Sequence, residues 1–551
     1  MDNLLLEICA EEIPAGYIQP ALTFLSSSLL QKLTDARIEH GPAKSYGTPR
    51  RLAVRVESVA RKQKSIKSEV IGPPAKVGFD DNGNPTMAAQ KFAEKVGVPV
   101  SQLAIKETAK GSYLASEKME RGLATPILLK EILPEVISSI PFPKKMRWAD
   151  LDVEFARPIT SILALLGNSL VTFHFGNIKS GRYTYGHSFM APGKIKLDVA
   201  DDYLEKLRTV KVLADMAERK KMLEHGIAEV AQKIGGHILP DDELVDIVNN
   251  LVEYPVPVAG KFDEAFLDVP DEVLINAMRE HQKYFAVVDN DNKLMPNFIA
   301  VNNTAARDLA LAAKGHERVL RARLADAQFF YQGDLEITDD ERVEKLKRVL
   351  FQAKLGTMYE KIERVAKIAE NLAVSVAYPP APDIKDADLK TQVSRAARLS
   401  KADLVSQVVG EFPKLQGVMG RIYAIVSGEP PMVAAAIEEH YRPVYSGAPL
   451  PKTPVGAILS IADKIDSICG CFSVGLIPTG ASDPYALRRQ GIGIIQILRD
   501  KGFSFSLREL IQNSVTQFGR EIDPEGTDLI ENVYRFLQNR IAHLLGEDGY
   551  S

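Results

Sequence analysis

The sequence predicts a multidomain α+β protein in which α+β modules are followed by a largely helical domain and C-terminal helices. Three observations carry that expectation. At 551 residues the chain is too long for one hydrophobic core, and roughly three to five domains are expected. Short apolar runs with strand-like alternation recur beside helical stretches through the first three hundred positions, whereas from Gly315 to about Gly475 apolar residues recur almost wholly at helical spacing. Proline pairs and Gly/Asn clusters punctuate the first part, with Pro141 and Pro143 the first candidate boundary. The expected division is 1–140, 144–330, 335–500 and 501–551.

Taken in order, Asn3–Ile13 reads as an apolar strand ending in the acidic turn before Pro14, and Ile18–Leu33 as a helix. Gly47-Thr48-Pro49-Arg50-Arg51 is a turn into Leu52, Val54 and Val56, a half-buried strand whose open face would carry Arg51 and Arg55. Such a face is either a solvated rim or a phosphate-binding one. The acidic run Asp80–Asn84 is expected to be a turn, since it lacks the closing glutamate of a calcium loop, and Thr86 to cap a helix over Met87–Val96. A further helix over Pro126–Ile137 precedes the proline pair. Lys144, Lys145 and Arg147 then stand beside the only tryptophan, Trp148, a pattern that suits either base stacking with phosphate contact or a buried indole with a charged rim. Val171–Phe175, Ile195–Val199 and Phe285–Val288 are β-like, and Asp202–Lys233 reads as one long helical stretch.

In the second half, helices are expected from Gly315 onward and over Arg342–Tyr359, Ile362–Ala377, Leu389–Val409, Gly417–Ile425, Pro431–His440, Val455–Cys469, Phe505–Ser514 and Ile522–Leu545. Among them lies the most particular stretch of the chain, Pro478–Arg489 (PTGASDPYALRR). Asp483 is placed as an N-cap and Pro484 at the first helical position, so a helix is expected to start here with Leu487, Gly491, Ile494 and Leu498 on its apolar stripe. Arg488 would sit at the margin of that stripe and Arg489 would face solvent or a partner. Two readings stand for these guanidiniums: pairing with nearby carboxylates, or organising an RNA or subunit interface.

Composition narrows the function. With 45% hydrophobic and 25% charged residues and no run long enough to cross a bilayer, the chain reads as an ordinary globular protein without membrane contact. Its N-terminus is too acidic for a secretory signal, so a cytoplasmic location is expected. Cys9, Cys469 and Cys471 cannot supply four thiolates to structural zinc. A net charge of -4 rules out a coat of positive potential, but Lys44–Lys67 holds eight basic residues against the single acid Glu57, a local field suited to nucleic acid. Phosphate-loop, H-E-x-x-H and G-x-S-x-G motifs are absent, so no catalytic residue is assigned.

The wording of several stretches carries a resemblance. GTPRRLAV (47–54), LVEYPVPVAG (251–260), MREHQKYF (278–285), RVLRARLADAQFF (318–330), KADLVSQVVGEFPKLQGVMG (401–420) and ADKIDSICGCFSVG (462–475) with SDPYALRR resemble the β subunit of the bacterial heterotetrameric glycyl-tRNA synthetase. That resemblance implies an assembly of two α and two β chains in which the α chain makes glycyl-adenylate from glycine and ATP, with Mg as its companion ion, and the β chain binds and places tRNA(Gly) without a cofactor of its own. Within that reading the basic patches make Arg50, Arg51, Arg55, Lys144, Lys145, Arg147 and Arg182 the candidate tRNA contacts, with Asp483, Pro484, Arg488 and Arg489 as interface organisers. Where the family has Gly-His-Arg-Phe this chain has Gly186-His187-Ser188-Phe189, so Ser188 departs from the pattern and Arg182 is the candidate to compensate. Residues 144–330 resemble the editing-type module of the phenylalanyl-tRNA synthetase β chain, without a hydrolytic triad. The helical region resembles the HD superfamily of metal-dependent phosphohydrolases in degenerate form: Ala402-Asp403, His440 and Asp463 are too few ligands, and no metal is expected. Family members continue beyond this point into a helical anticodon-binding domain. An active HD-type phosphohydrolase and a stand-alone RNA-binding scaffold are the competing expectations.

Overall fold

The computed structural model describes residues 1–547 and 549, other than 81–82, 109–110, 377–385, 446, 481 and 520–526. Asp81 and Asn82 of the expected acidic turn, Ala481 of the signature stretch, the start of the helix expected from Ile522, and Ser551 thus lie outside the described residues. The chain forms two compact units, one built from Met1–Gly260, Val287–Asn292 and Ile299–Ala313, the other from Lys261–Ala286, Lys293–Phe298 and Lys314–Ser551.

At the centre of the first unit is β1 (Asp2–Ala10), followed by helix α1 (Ala15–Asp35), β2 (Ala43–Thr48) and β3 (Arg51–Val59). Further strands β4 (Ile159–Leu166) and β5 (Ser169–Leu170) complete an antiparallel sheet in the order β5-β4-β1-β3-β2. The strand β4 has no counterpart among the sequence expectations, although its apolar run ILALL between Pro158 and Gly167 is the signal it leaves. Because β4 pairs with β1 (Leu6↔Ala164, Ile8↔Ile162), the boundary expected between 140 and 144 falls inside this unit. Both faces of the sheet are covered. Leu4, Leu6 and Ile8 pack with α1 and with the helix Thr125–Ser139, while Leu5, Tyr46, Ala53 and Leu163 pack with Tyr203 and Leu207. Burial on both faces explains why β1 reads as a nearly continuous apolar run.

That covering corrects one expectation. Arg51 and Arg55 do share a face, since Cys9↔Arg51 and Leu5↔Arg55 are paired across β1 and β3, but the face is closed by the Tyr203 side of the fold. The helix expected over Asp202–Lys233 is also two: Tyr203–Thr209 and Met216–Lys233. Between them Lys211 adopts a left-handed φ of 61° and Val212–Ala214 are buried. Asp215 then caps the second helix by accepting from Ala217 N and Glu218 N.

The second unit is helical around Pro454–Ser473, whose residues from Val455 to Phe472 are almost all buried. A helix covered on every side must be apolar all round, and its few polar residues need partners inside the fold. It is wrapped by Met358–Ser375, Pro431–Glu439, Leu487–Lys501, Leu507–Val515 and Thr527–Glu547, which share one core with it. The boundary expected at 500 therefore falls within this core. The helix expected over Arg342–Tyr359 is broken: it ends at Lys345, and a two-stranded turn through Gly356, at φ 87°, leads to Thr357. Thr357 and Glu360 form a capping box that starts the next helix, a device legible in the sequence as T-x-x-E.

In the signature stretch, the helix starts at Leu487, not at Pro484, because Ala486 takes a left-handed φ of 53° as its N-cap residue. Asp483 still caps it, from further away: its two carboxylate oxygens accept from Leu487 N at 2.8 Å and Arg488 N at 3.0 Å. Pro484 consequently lies in the preceding turn.

Candidate functional site

Two places gather the chemistry-bearing residues, one in each unit. In the helical unit two of the three positions expected to form a degenerate HD set, His440 and Asp463, flank a lysine. Lys401 Nζ donates to His440 Nε2 at 2.6 Å, lies 3.4 Å from Asp463 Oδ2 and stands 4.0 Å above the Tyr441 ring. His440 Nδ1 donates to the Ile437 carbonyl at 2.6 Å, which fixes the neutral tautomer and aims the Nε2 lone pair at Lys401. Burial and the adjacent ammonium hold this imidazole well below its ordinary pKa. Burial would raise the Asp463 carboxyl, yet Lys361 and Lys401 beside it hold it well below the usual carboxylate range.

The third HD position is turned elsewhere. Asp403 Oδ2 accepts from Gly417 N at 2.5 Å and Gly420 N at 3.1 Å, so this carboxylate pins a backbone turn. Among the described residues no group of three or more His, Cys, Asp or Glu side chains is placed to hold a metal ion. The donor set fits a divalent cation poorly in any case, because an ammonium already engages the histidine nitrogen and the distant aspartate. Sequence reasoning missed Lys401; its signal was the K-A-D in which a lysine precedes the degenerate dyad.

Asp403 yields a pH prediction. Burial pushes its carboxyl from the ordinary 3.8 up to about 6, with Lys401 and Tyr441 the charged and titratable groups facing it. A pKa raised on folding contributes stability that is full below about pH 4 and is lost as pH rises through about 6. Asp403→Asn keeps an acceptor for the two amides and cannot ionise. The variant is expected to match the parent near pH 4 and to exceed it by about 2–3 kcal/mol above pH 7. Urea unfolding followed by circular dichroism tests this, and a difference that stays flat across that range would refute it.

A cavity of about 250 Å³ adjoins this cluster, lined by His440, Tyr441, Asp463, Lys464, Tyr485 and Arg489 among others. The signature stretch thus meets His440 and Asp463 at one opening. Arg488 is engaged with the loop, donating to the Gly480 carbonyl at 3.0 Å, whereas Arg489 is exposed.

In the first unit the candidate contacts separate by burial. Arg51 is 3% exposed: it is ion-paired with Glu253, donates to the Tyr185 carbonyl at 2.8 Å and lies 3.6 Å from Glu7. Glu7, fully buried in β1, also accepts from Thr184 and from the Tyr203 hydroxyl. The expectation that Arg51 contacts phosphate is therefore corrected: its charge is spent on two buried acids. Arg55 is half-buried against Glu57 at 3.3 Å and Asp201 at 3.9 Å. Arg50 reaches the surface and pairs with Glu11 at 3.2 Å.

Lys144, Lys145 and Arg147 are exposed, with Arg147 Nε 3.0 Å from Glu154. Trp148 beside them packs against the apolar core, so it serves as an anchor under a charged rim. Arg182 donates to the Asn168 carbonyl at 3.3 Å. His187 is buried and its Nδ1 accepts from Phe189 N and Met190 N, a structural task that fixes the loop after it. A second cavity, of about 420 Å³, opens here between Cys9, Arg50, Thr160, Tyr185, Ser188 and Glu253.

A family model described as glycyl-tRNA synthetase beta subunit matches residues 4–551. Curated relatives named glycine–tRNA ligase beta subunit include that of Desulforapulum autotrophicum, 56% identical over 551 residues, which cover all of this chain and 79% of the relative. That of Desulfatibacillum aliphaticivorans is 52% identical over the same span of this chain and 79% of its own. That of Geobacter metallireducens is 46% identical over 547 residues, 99% of this chain and 78% of the relative.

Proposed function

Since the chain belongs to the glycyl-tRNA synthetase beta subunit family, we propose that it is the member of the ligase that binds tRNA(Gly) and places its 3′ end for an α subunit. The α chain supplies glycyl-adenylate, using ATP and Mg, and two α and two β chains make the working enzyme in the cytoplasm. No membrane contact enters this reading, and no helix among the described residues is long and apolar enough to cross a bilayer. The match across residues 4–551 is the observation that carries it.

Positioning is the chemistry that remains for a subunit without an adenylate site of its own. Holding the tRNA terminus within reach of an acyl donor on another chain removes much of the entropy cost of a bimolecular step, an effect worth about 7–11 kcal/mol in the best-oriented cases. Exposed Lys144, Lys145 and Arg147, with Arg50 at the surface, supply cations for phosphate in a chain of net charge -4. In the same reading residues 144–330 are an editing-type scaffold like that of the phenylalanyl-tRNA synthetase β chain. Residues 335–500 are then an HD-like scaffold whose metal place is taken by Lys401, and the opening beside Arg489 faces RNA or the α chain.

Glycine attachment to tRNA by the α subunit, with and without this chain, tests the reading. Charging is expected only when both are present. A chain that neither associates with the α subunit nor raises charging would overturn it, and association with tRNA alone would favour a stand-alone scaffold.

A further inference from the structure

Tyr183–Tyr185 and Lys194–Lys196 form a two-stranded antiparallel ribbon with Tyr183 opposite Lys196 and Tyr185 opposite Lys194. Directly opposed residues project to the same side, so two tyrosines and two lysines share its outer face. Thr184, between the tyrosines, points inward to Glu7. Lys194 Nζ lies 4.9 Å from the Tyr183 ring centroid. Phe189, in the loop that joins the strands, is 78% exposed, although the His187 imidazole fixes its backbone from below. A pinned loop that keeps a phenylalanine ring in water is costly for the isolated chain and points to a partner that covers it.

At the end of this ribbon lies the cavity of about 420 Å³, within the range of small-ligand sites. Its wall includes Glu253, whose side chain is 2% exposed. One Glu253 oxygen takes Thr48 and Arg51, and the carboxylate lines the cavity. A carboxylate that lines a cavity can accept an N–H from what enters it. Aromatic faces for stacking, lysines for phosphates and an acceptor in a base-sized cavity are the features by which single-stranded nucleic acid is held.

We propose that this ribbon and cavity hold the unpaired 3′ end of an RNA. Bases stack on Tyr183, Tyr185 and Phe189, phosphates lie along Lys194 and Lys196, and one base with an exocyclic amine donates to Glu253. The inference rests on the tRNA-binding reading above and names the place where the unpaired end sits.

Fluorescence anisotropy on the 551-residue chain tests it with three RNAs: intact tRNA(Gly), the same RNA stripped of its unpaired 3′ nucleotides, and the stripped RNA extended by uridines, which lack an exocyclic amine. Intact RNA is expected to bind most tightly. Tyr185→Ala with Phe189→Ala, both at exposed positions that leave the Tyr185 carbonyl in place for Arg51, is expected to weaken intact RNA by about tenfold or more and to leave stripped RNA unchanged. The uridine-extended RNA is expected to bind more weakly than intact RNA. Equal binding of intact and stripped RNA, or a double variant that binds intact RNA like the parent, overturns the inference and leaves the tRNA-binding reading standing. Failure of the parent to bind intact RNA overturns both. A double variant that keeps RNA binding but loses the α subunit would make the ribbon a protein-docking face, and also overturns it.

Discussion

Asp466→Ala is expected to destabilise the helical unit by about 3–5 kcal/mol, the cost of stranding buried charge when one partner is removed. Asp466 is fully buried in the central helix and neutralises two cations. Lys361 Nζ reaches its Oδ2 at 3.0 Å, and Arg364 reaches Oδ1 at 2.7 Å and Oδ2 at 3.3 Å. Both cations keep other contacts after the substitution, Lys361 with Ser467 and Asp463 and Arg364 with the Leu355 carbonyl, but among the described residues Asp466 is the one carboxylate ion-paired with Arg364. Asp466→Asn should lose less, because the amide keeps the shape and one acceptor. The only tryptophan, Trp148, belongs to the other unit, so its emission is silent here and backbone hydrogen exchange in Met358–Ser375 and Pro454–Ser473 is the measurement. Exchange rates raised less than fivefold in both helices would sink the expectation.

Local patterns in the sequence carried the elements, and distant pairings were out of their reach. The helix Met87–Val96, the helix at Pro431 and the strand at Arg51 follow from periodicity and from residues within a few positions. The fate of Arg51 depends on Glu7 and on Glu253, which stands 202 positions away, and no local pattern in GTPRRLAV distinguishes a buried guanidinium from a phosphate ligand. One clue was present: an acid inside an apolar strand, as Glu7 is in LLLEICA, needs a buried partner, and the paired strand offers Arg51 and Arg55 on either side of its partner Ala53. Likewise Asp403, His440 and Asp463 were legible as residue types, but where each side chain would point was not. The lysine that joins two of them showed only as the K-A-D before the dyad, and nothing local says where its four-carbon stem will end. Breaks at Lys211 and Gly356 escaped for a different reason, since burial of Val212–Ala214 and the Thr357 capping box outweighed helix propensity on either side.

The adjacent arginines of GTPRRLAV should therefore respond in opposite ways. Arg51→Ala leaves Glu253 and Glu7 buried without their cation and is expected to cost about 3–5 kcal/mol in the first unit. The loss should appear as a lower urea midpoint of Trp148 emission, which reports on the core that the indole packs against. Arg50→Ala removes a surface side chain with one exposed ion pair, to Glu11, and is expected to change stability by less than about 1 kcal/mol. Its effect belongs to RNA: if Arg50 meets a phosphate, the slope of log affinity against log salt falls by about 0.7–0.9. Weak tRNA binding by Arg51→Ala would by itself mean little, because a loosened sheet also displaces Arg50 and the Tyr185 carbonyl that Arg51 holds. The discriminating comparison is the salt slope measured at a temperature where both variants are folded. An unchanged slope with a lowered midpoint identifies Arg51 as a structural charge, whereas an unchanged midpoint with a reduced slope would return it to the phosphate contacts and contradict its burial.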